Sequence, residues 1–173
     1  MKPLVIINFK TYKQGKEVVK LAKAIEKVSK EVIIGVQASD VYEVVKAVGL
    51  RVFVQHVDGL KKGRNTGYVI PEAVKADGAR GVFLNHSEHP IKFSVLKESV
   101  KRCREVGLKS VVFFDGLSEG RRIEKLKPDY LIYEPASLVG GNVSVSKAKP
   151  EVIDKIVKGL KKGILVGAGV KNK

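Results

Sequence analysis

The sequence has no tryptophan, one cysteine (Cys103) and three histidines. A single cysteine cannot close an internal disulfide and fits a reducing compartment. So few sulfur and imidazole groups leave no zinc-type ligand cluster. Long apolar runs are missing as well. None approaches the roughly 18–20 residues that a membrane span needs. At the N-terminus one lysine precedes five residues, Pro3 to Ile7, a run shorter than the core of a secretory signal. Acidic residues are scarce beside basic ones, 18 against 33, which leaves a net charge of +15 over 173 residues. That surplus makes a polyanion a candidate partner. The lysines are dispersed, however. Lys13, Lys16, Lys20, Lys23, Lys27 and Lys30 recur along one segment, and the tight clusters are only pairs: Lys61-Lys62, Arg121-Arg122 and Lys161-Lys162. No aromatics interleave with them as stacking platforms. Solvated helix faces, as in many heat-adapted proteins, explain this charge better than specific nucleic-acid binding.

What is present is an ordinary globular composition, 44% hydrophobic and 29% charged, which excludes a disordered chain. The length suits one domain over 1–173, with no linker or low-complexity tract. Short apolar, β-branched runs recur at Leu4–Asn8, Val32–Val36, Arg51–Gln55, Gly81–Asn85, Lys109–Phe113, Asp129–Tyr133 and Gly163–Val166. Their continuous apolar character predicts strands buried on both faces. Between them lie segments with helical spacing. One face of Glu17–Lys30 gathers Val18, Leu21, Ala22, Ile25 and Val28; a second segment gathers Val95, Leu96, Ser99, Val100, Cys103 and Val106; a third gathers Val152, Ile153, Ile156, Val157 and Leu160. Ser94 and Ser118 are expected N-caps, Gly107 a helix stop, and Pro71, Pro128 and Pro150 element starts.

Strand and helix in alternation mean parallel strands, in either an open doubly wound sheet or a closed barrel. No glycine fingerprint follows the first strand, which argues against a dinucleotide fold. Polar residues instead collect after strand C-termini, as in a (β/α) barrel: Asn8 and Lys10, then Gln55 and His56, then Asn85, His86 and Glu88, then Glu134, then Gly167-Ala168-Gly169. Each has a plain alternative, since Lys10 is one lysine among many and His86 and Glu134 could be ordinary loop residues. Together, a lysine, an imidazole and a carboxylate at one barrel mouth make a set for anion binding, carbonyl polarisation and general-base catalysis. Residues 135–147 form a long glycine-bearing connection without charge before Lys147, a candidate lid. Gly167-Ala168-Gly169 could offer backbone N–H groups to a phosphate.

In order along the chain, Asn8-Phe9-Lys10-Thr11-Tyr12, Asn85-His86-Ser87-Glu88 and Tyr133-Glu134-Pro135 with Gly140 resemble the triosephosphate isomerases, in particular their short archaeal branch. Gln55-His56-Val57-Asp58, Thr66-Gly67 and Val145-Ser146-Lys147-Ala148 are similar to that branch too, so the resemblance spans the chain. It implies a (β/α)8 TIM barrel that interconverts dihydroxyacetone phosphate and D-glyceraldehyde 3-phosphate, in glycolysis and gluconeogenesis, with no cofactor and no metal. By resemblance Glu134 is the base and His86 the electrophile, the roles this family is known for. Lys10 and Asn8 bind substrate, Glu88 supports the lysine, and Gly140, Gly141, Gly167, Ala168 and Gly169 serve the phosphate. Thr66 matches a residue that reaches a neighbouring subunit, which implies a homo-oligomer, a dimer or tetramer. The implied setting is cytoplasmic, with a small phosphorylated triose as partner, no specific nucleic acid and no membrane.

Three departures from the family stand out. The usual Ser-Glu-Arg-Arg reads Ser87-Glu88-His89-Pro90, and the lid's Gly-Thr-Gly reads Gly140-Gly141-Asn142. The sequence also ends at Lys173 soon after the seventh strand. Strand eight and the last two helices are therefore expected to be missing from the barrel. The competing readings are a catalytically incompetent barrel fragment, serving as a folding or assembly model, and a polyanion-binding barrel suggested by the +15 charge alone.

Overall fold

A computed structural model describes residues 4–139 and 150–168. The strands are β1 (Ile6–Asn8), β2 (Ile33–Val36), β3 (Arg51–Val54), β4 (Gly81–Leu84), β5 (Lys109–Phe114), β6 (Tyr130–Tyr133) and β7 (Ile164–Val166). The helices are α1 (Lys16–Val28), α2 (Val41–Ala47), α3 (Pro71–Ala76), α4 (Phe93–Glu105), α5 (Leu117–Glu124) and α6 (Pro150–Gly159). All seven expected strands are present, each within two residues of its expected bounds. Pro71 and Pro150 open α3 and α6, where a missing N–H costs little.

The chain divides into two compact units, Met1–Phe83 with Glu98–Lys109, and Leu84–Lys97 with Ser110–Lys173. In the first, the strand order is β1-β2-β3-β4 and the pairing is parallel, with Ile6 opposite Ile33, Ile33 opposite Arg51 and Phe53 opposite Gly81. In the second, the order is β5-β6-β7, again parallel, with Val111 opposite Tyr130 and Leu131 opposite Ile164. Neither unit contains the order reversal that marks a doubly wound sheet. Strand order simply follows sequence order, as it must in a (β/α) barrel.

The strands are buried for the reason their composition suggests. All four residues of β2 and of β4 are buried, as are five of six in β5. Large and small side chains interlock in the first unit. A Cβ on Gly35 of β2 would lie 2.0 Å from the Phe83 ring of β4, and one on Gly81 would lie 2.3 Å from the Phe53 ring of β3. The two phenyl rings in turn sit 6.0 Å apart. Among the described residues β7 pairs only with β6, and it is the least covered strand: Ile164 and Leu165 are half-buried and Val166 is exposed.

Helix faces follow the expected stripes with specific exceptions. Val18 and Ala22 of α1 are buried, as are Leu96, Ser99, Val100 and Cys103 of α4 and Ile156 of α6. Val28, Val95, Val152 and Val157 face solvent instead. Each lies at the margin of an apolar stripe or at a helix end, beyond what the underlying strands cover. The N-caps also differ from expectation. Ser94 is the second residue of α4, and α5 is capped at Gly116, with Ser118 inside the helix. Gly107 stops α4 as expected. At φ 73 its N–H reaches Arg104 O (3.2 Å) while Leu108 N–H reaches Cys103 O (2.8 Å), a left-handed closure that glycine accepts without strain. Within α4 the Arg102 guanidinium bonds Glu105 and Glu72 of α3. The Glu105 carboxyl is held below its ordinary range by its hydrogen bond to Arg102.

Candidate active site

The expected site residues fall into two groups, one in each unit. In the first unit Asn8 ends β1 and Lys10 begins the next turn. Lys10 has φ 50, a left-handed backbone that a residue with a side chain adopts at some cost. The turn is held by its neighbours. Lys10 N–H donates to Asn8 Oδ1 (2.9 Å), and the Gln55 amide nitrogen reaches Asn8 Oδ1 (3.1 Å), Lys10 O (2.8 Å) and Gly35 O (3.2 Å). Gln55 lies just beyond β3 and so pins the end of β1. Its position after a strand was legible in the sequence; its work as a pin was not. Thr66 lies exposed on the connection between β3 and α3.

In the second unit the structure brings His86 and Glu134 together. His86 follows β4 by two residues and is buried, with its ring edge-on to Phe113 of β5, 4.8 Å between centroids. Glu134 directly follows β6, and its backbone N–H bonds Phe114 O at 3.0 Å. His86 Nε2 lies 2.9 Å from Glu134 Oε2. That short approach lacks hydrogen-bond alignment, so Oε2 is buried with no hydrogen-bond partner. An unpartnered buried carboxylate oxygen is costly to keep. It also suits a general base, since the oxygen is set against the imidazole without being locked in an aligned hydrogen bond.

The imidazole tautomer follows from its other nitrogen. Glu88 N–H donates to His86 Nδ1 at 3.1 Å, so Nδ1 is the acceptor and Nε2 carries the hydrogen. The Glu88 carboxylate stands 3.7 Å from the same Nδ1 and is half exposed. At that distance the carboxylate is beyond hydrogen-bond range of Nδ1, whereas the backbone N–H is within it. Glu88 is thus placed beside the imidazole by both its main chain and its side chain.

Gly167 follows β7, and its N–H bonds Tyr133 O at 2.9 Å. A Cβ on Gly167 would meet Glu134 Oε1 at 3.3 Å. Ala168 is buried at φ 86, a left-handed angle unusual for alanine. Gly167 and Ala168 of the tripeptide expected to serve a phosphate thus lie just past β7, while Gly169 lies outside the described residues, as do Gly140 and Gly141. Next to the base, burial and then the charge of Asp115 push the Tyr133 phenol above its ordinary range, which keeps it protonated. Among the described residues no group of three His, Cys, Asp or Glu side chains could hold a metal ion, and no helix is long and apolar enough to cross a membrane.

Two residues were not singled out as site residues from sequence. Asp115, just beyond β5, accepts a hydrogen bond from Ala136 N–H at 3.3 Å, and Glu119 of α5 accepts one from the Asn85 amide at 3.1 Å. Asp115 carries the same signal as the others, a polar residue after a strand C-terminus. Glu119 carries none, because its partner is 34 positions away.

The family model described as triosephosphate isomerase matches residues 3–125. The triosephosphate isomerase of Sulfurisphaera tokodaii is 40% identical over 97% of this chain and 78% of its own length, and that of Methanocaldococcus jannaschii is 35% identical over 96% and 81%. A crystal structure of triosephosphate isomerase from Bartonella henselae matches 92% of this chain and 74% of its own with a TM-score of 0.74; at 19% identity that likeness speaks for the fold alone, a (β/α) barrel. From the matched family model, the archaeal relatives and the shared fold, the chain belongs to the triosephosphate isomerase family.

Proposed function

We propose that this chain interconverts dihydroxyacetone phosphate and D-glyceraldehyde 3-phosphate, with Glu134, His86 and Lys10 as its catalytic residues. Glu134 Oε2 takes a proton from C1 of the ketone while the His86 Nε2–H hydrogen-bonds the C2 carbonyl oxygen. The C1–H electron pair becomes the C1–C2 double bond of an enediolate, and negative charge collects on the C2 oxygen. His86 then passes a proton between the two oxygens, and Glu134 returns its proton to C2, which leaves the aldehyde at C1. No redox cofactor enters, because the carbon skeleton is neither oxidised nor reduced overall. Lys10 and Asn8 bind the substrate and balance its charge. Gly140, Gly141, Gly167, Ala168 and Gly169 serve the phosphate, and Glu88 supports the lysine. The whole chain forms one barrel domain, a reading supported by a family match over residues 3–125 that begins in the first unit and extends into the second. Thr66, exposed on its connection, serves contact with a second copy in a dimer or tetramer, in the cytoplasm.

The observation that carries this reading is the unpartnered Glu134 Oε2 held 2.9 Å from a donor nitrogen of His86. The test is turnover of dihydroxyacetone phosphate with the Glu134→Asp variant as control. Shortening the base by one methylene should cut kcat about a hundredfold or more, in the range general-base catalysis supplies. A purified protein with no turnover would sink the proposal and leave the incompetent fragment as the better reading, and an active variant that equals wild type would remove Glu134 as the base.

A further inference from the structure

We infer that Asn85 and Glu119 form a latch that positions His86 against Glu134; this rests on the catalytic reading above and adds two positioning residues to it. Asn85 has φ 59, where glycine would sit without strain. An asparagine held there is using its side chain, and all its polar atoms have work. Oδ1 accepts the Ile91 N–H at 3.2 Å and so closes the turn that carries His86. Nδ2 donates to Phe113 O (3.0 Å) at the end of β5 and to Glu119 Oε1 (3.1 Å) on α5.

Glu119 divides its carboxylate between two tasks. Oε2 accepts the Asp115 N–H at 2.9 Å, a job any helix-start carboxylate could do with one oxygen. Oε1 is spent on Asn85. From Asp115 the series continues, since its Oδ1 accepts the N–H of Ala136, two residues past Glu134. Glu134 N–H itself bonds Phe114 O. The turn that bears the imidazole and the turn that bears the base therefore both hang from residues 113–119. A segment that touches neither reacting atom fixes the His86–Glu134 distance, and a displacement of about 1 Å between reacting groups can cost on the order of a hundredfold in rate.

The test uses Asn85→Gly, Glu119→Gln and the double variant in the full chain. Asn85→Gly removes the amide at an angle glycine accepts, so it probes the latch without adding strain. In Glu119→Gln one oxygen cannot accept from both Asn85 and Asp115 with the same geometry. Each single variant should lower kcat about tenfold to a hundredfold with KM changed by less than about threefold, and the double variant should lose no more than the worse single. The 15N-labelled imidazole of His86 supplies a readout that helix capping alone would not move. Wild type should show the Nε2–H tautomer, and the variants a mixture with Nδ1–H or exchange broadening. Wild-type kcat with an unchanged His86 spectrum in either folded variant would overturn the latch, as would additive losses with an unchanged spectrum. If Glu119→Gln does not fold, Asn85→Gly decides alone. If the wild-type protein does not turn over substrate, the catalytic reading fails while the His86 spectrum still decides the latch.

Discussion

Glu134 is the residue on which the proposed chemistry depends, and its surroundings leave one oxygen approached by His86 and the other bordered by Gly167. The second contact gives a prediction at the scale of one methyl group. A Cβ at Gly167 would stand 3.3 Å from Glu134 Oε1 and 3.6 Å from Ile132 Cγ2. The first is tight for an added carbon and the second is ordinary contact, so the carboxylate is the partner that would have to turn away. Gly167→Ala should lower kcat about tenfold or more through a displaced base while costing little stability. The check is a pair of measurements on the purified variant, kcat and thermal midpoint. A variant with wild-type kcat would mean that Glu134 is not held where the structure puts it.

Elements were legible where burial is two-sided. β2, β4 and β5 read as unbroken apolar runs because both faces are covered, and neither face has to be polar. α2 and α3, seven and six residues long, were not legible as helices because fewer than two turns cannot show a period. The exposed Val28, Val95, Val152 and Val157 show the limit of reading a helix face: spacing gives the direction of the stripe, and only the packed neighbours give its width. In the site, His86 and Glu134 were legible because a strand end places them. The Asn85–Glu119 contact was not, since it joins positions brought together by packing after β4 and β5. The interlock of strands supplies this scale's prediction. Gly35→Ala would drive a methyl group into the Phe83 ring between β2 and β4. Overpacking of this kind costs about 1–3 kcal/mol or more, so the variant should unfold at lower denaturant concentration with an unchanged slope. The variant Gly35→Ala with Phe83→Leu should recover part of the loss, and equal stability of wild type and Gly35→Ala would show that the ring is not there.

For the whole molecule, the +15 charge turned out less informative than the order of a few polar residues along seven strands. The fold match agrees with the parallel, sequence-ordered strands. In the proposed reaction Glu134 moves a carbon-bound proton. The most direct measurement is proton NMR of dihydroxyacetone phosphate incubated with the protein in deuterium oxide. A proton held by a carboxylate during turnover can exchange with solvent before it returns to carbon. The account predicts deuterium at C1 of the recovered ketone and at C2 of the aldehyde, and loss of that incorporation in Glu134→Gln. Isomerisation without any deuterium in the carbon positions, or incorporation that persists in Glu134→Gln, would contradict it.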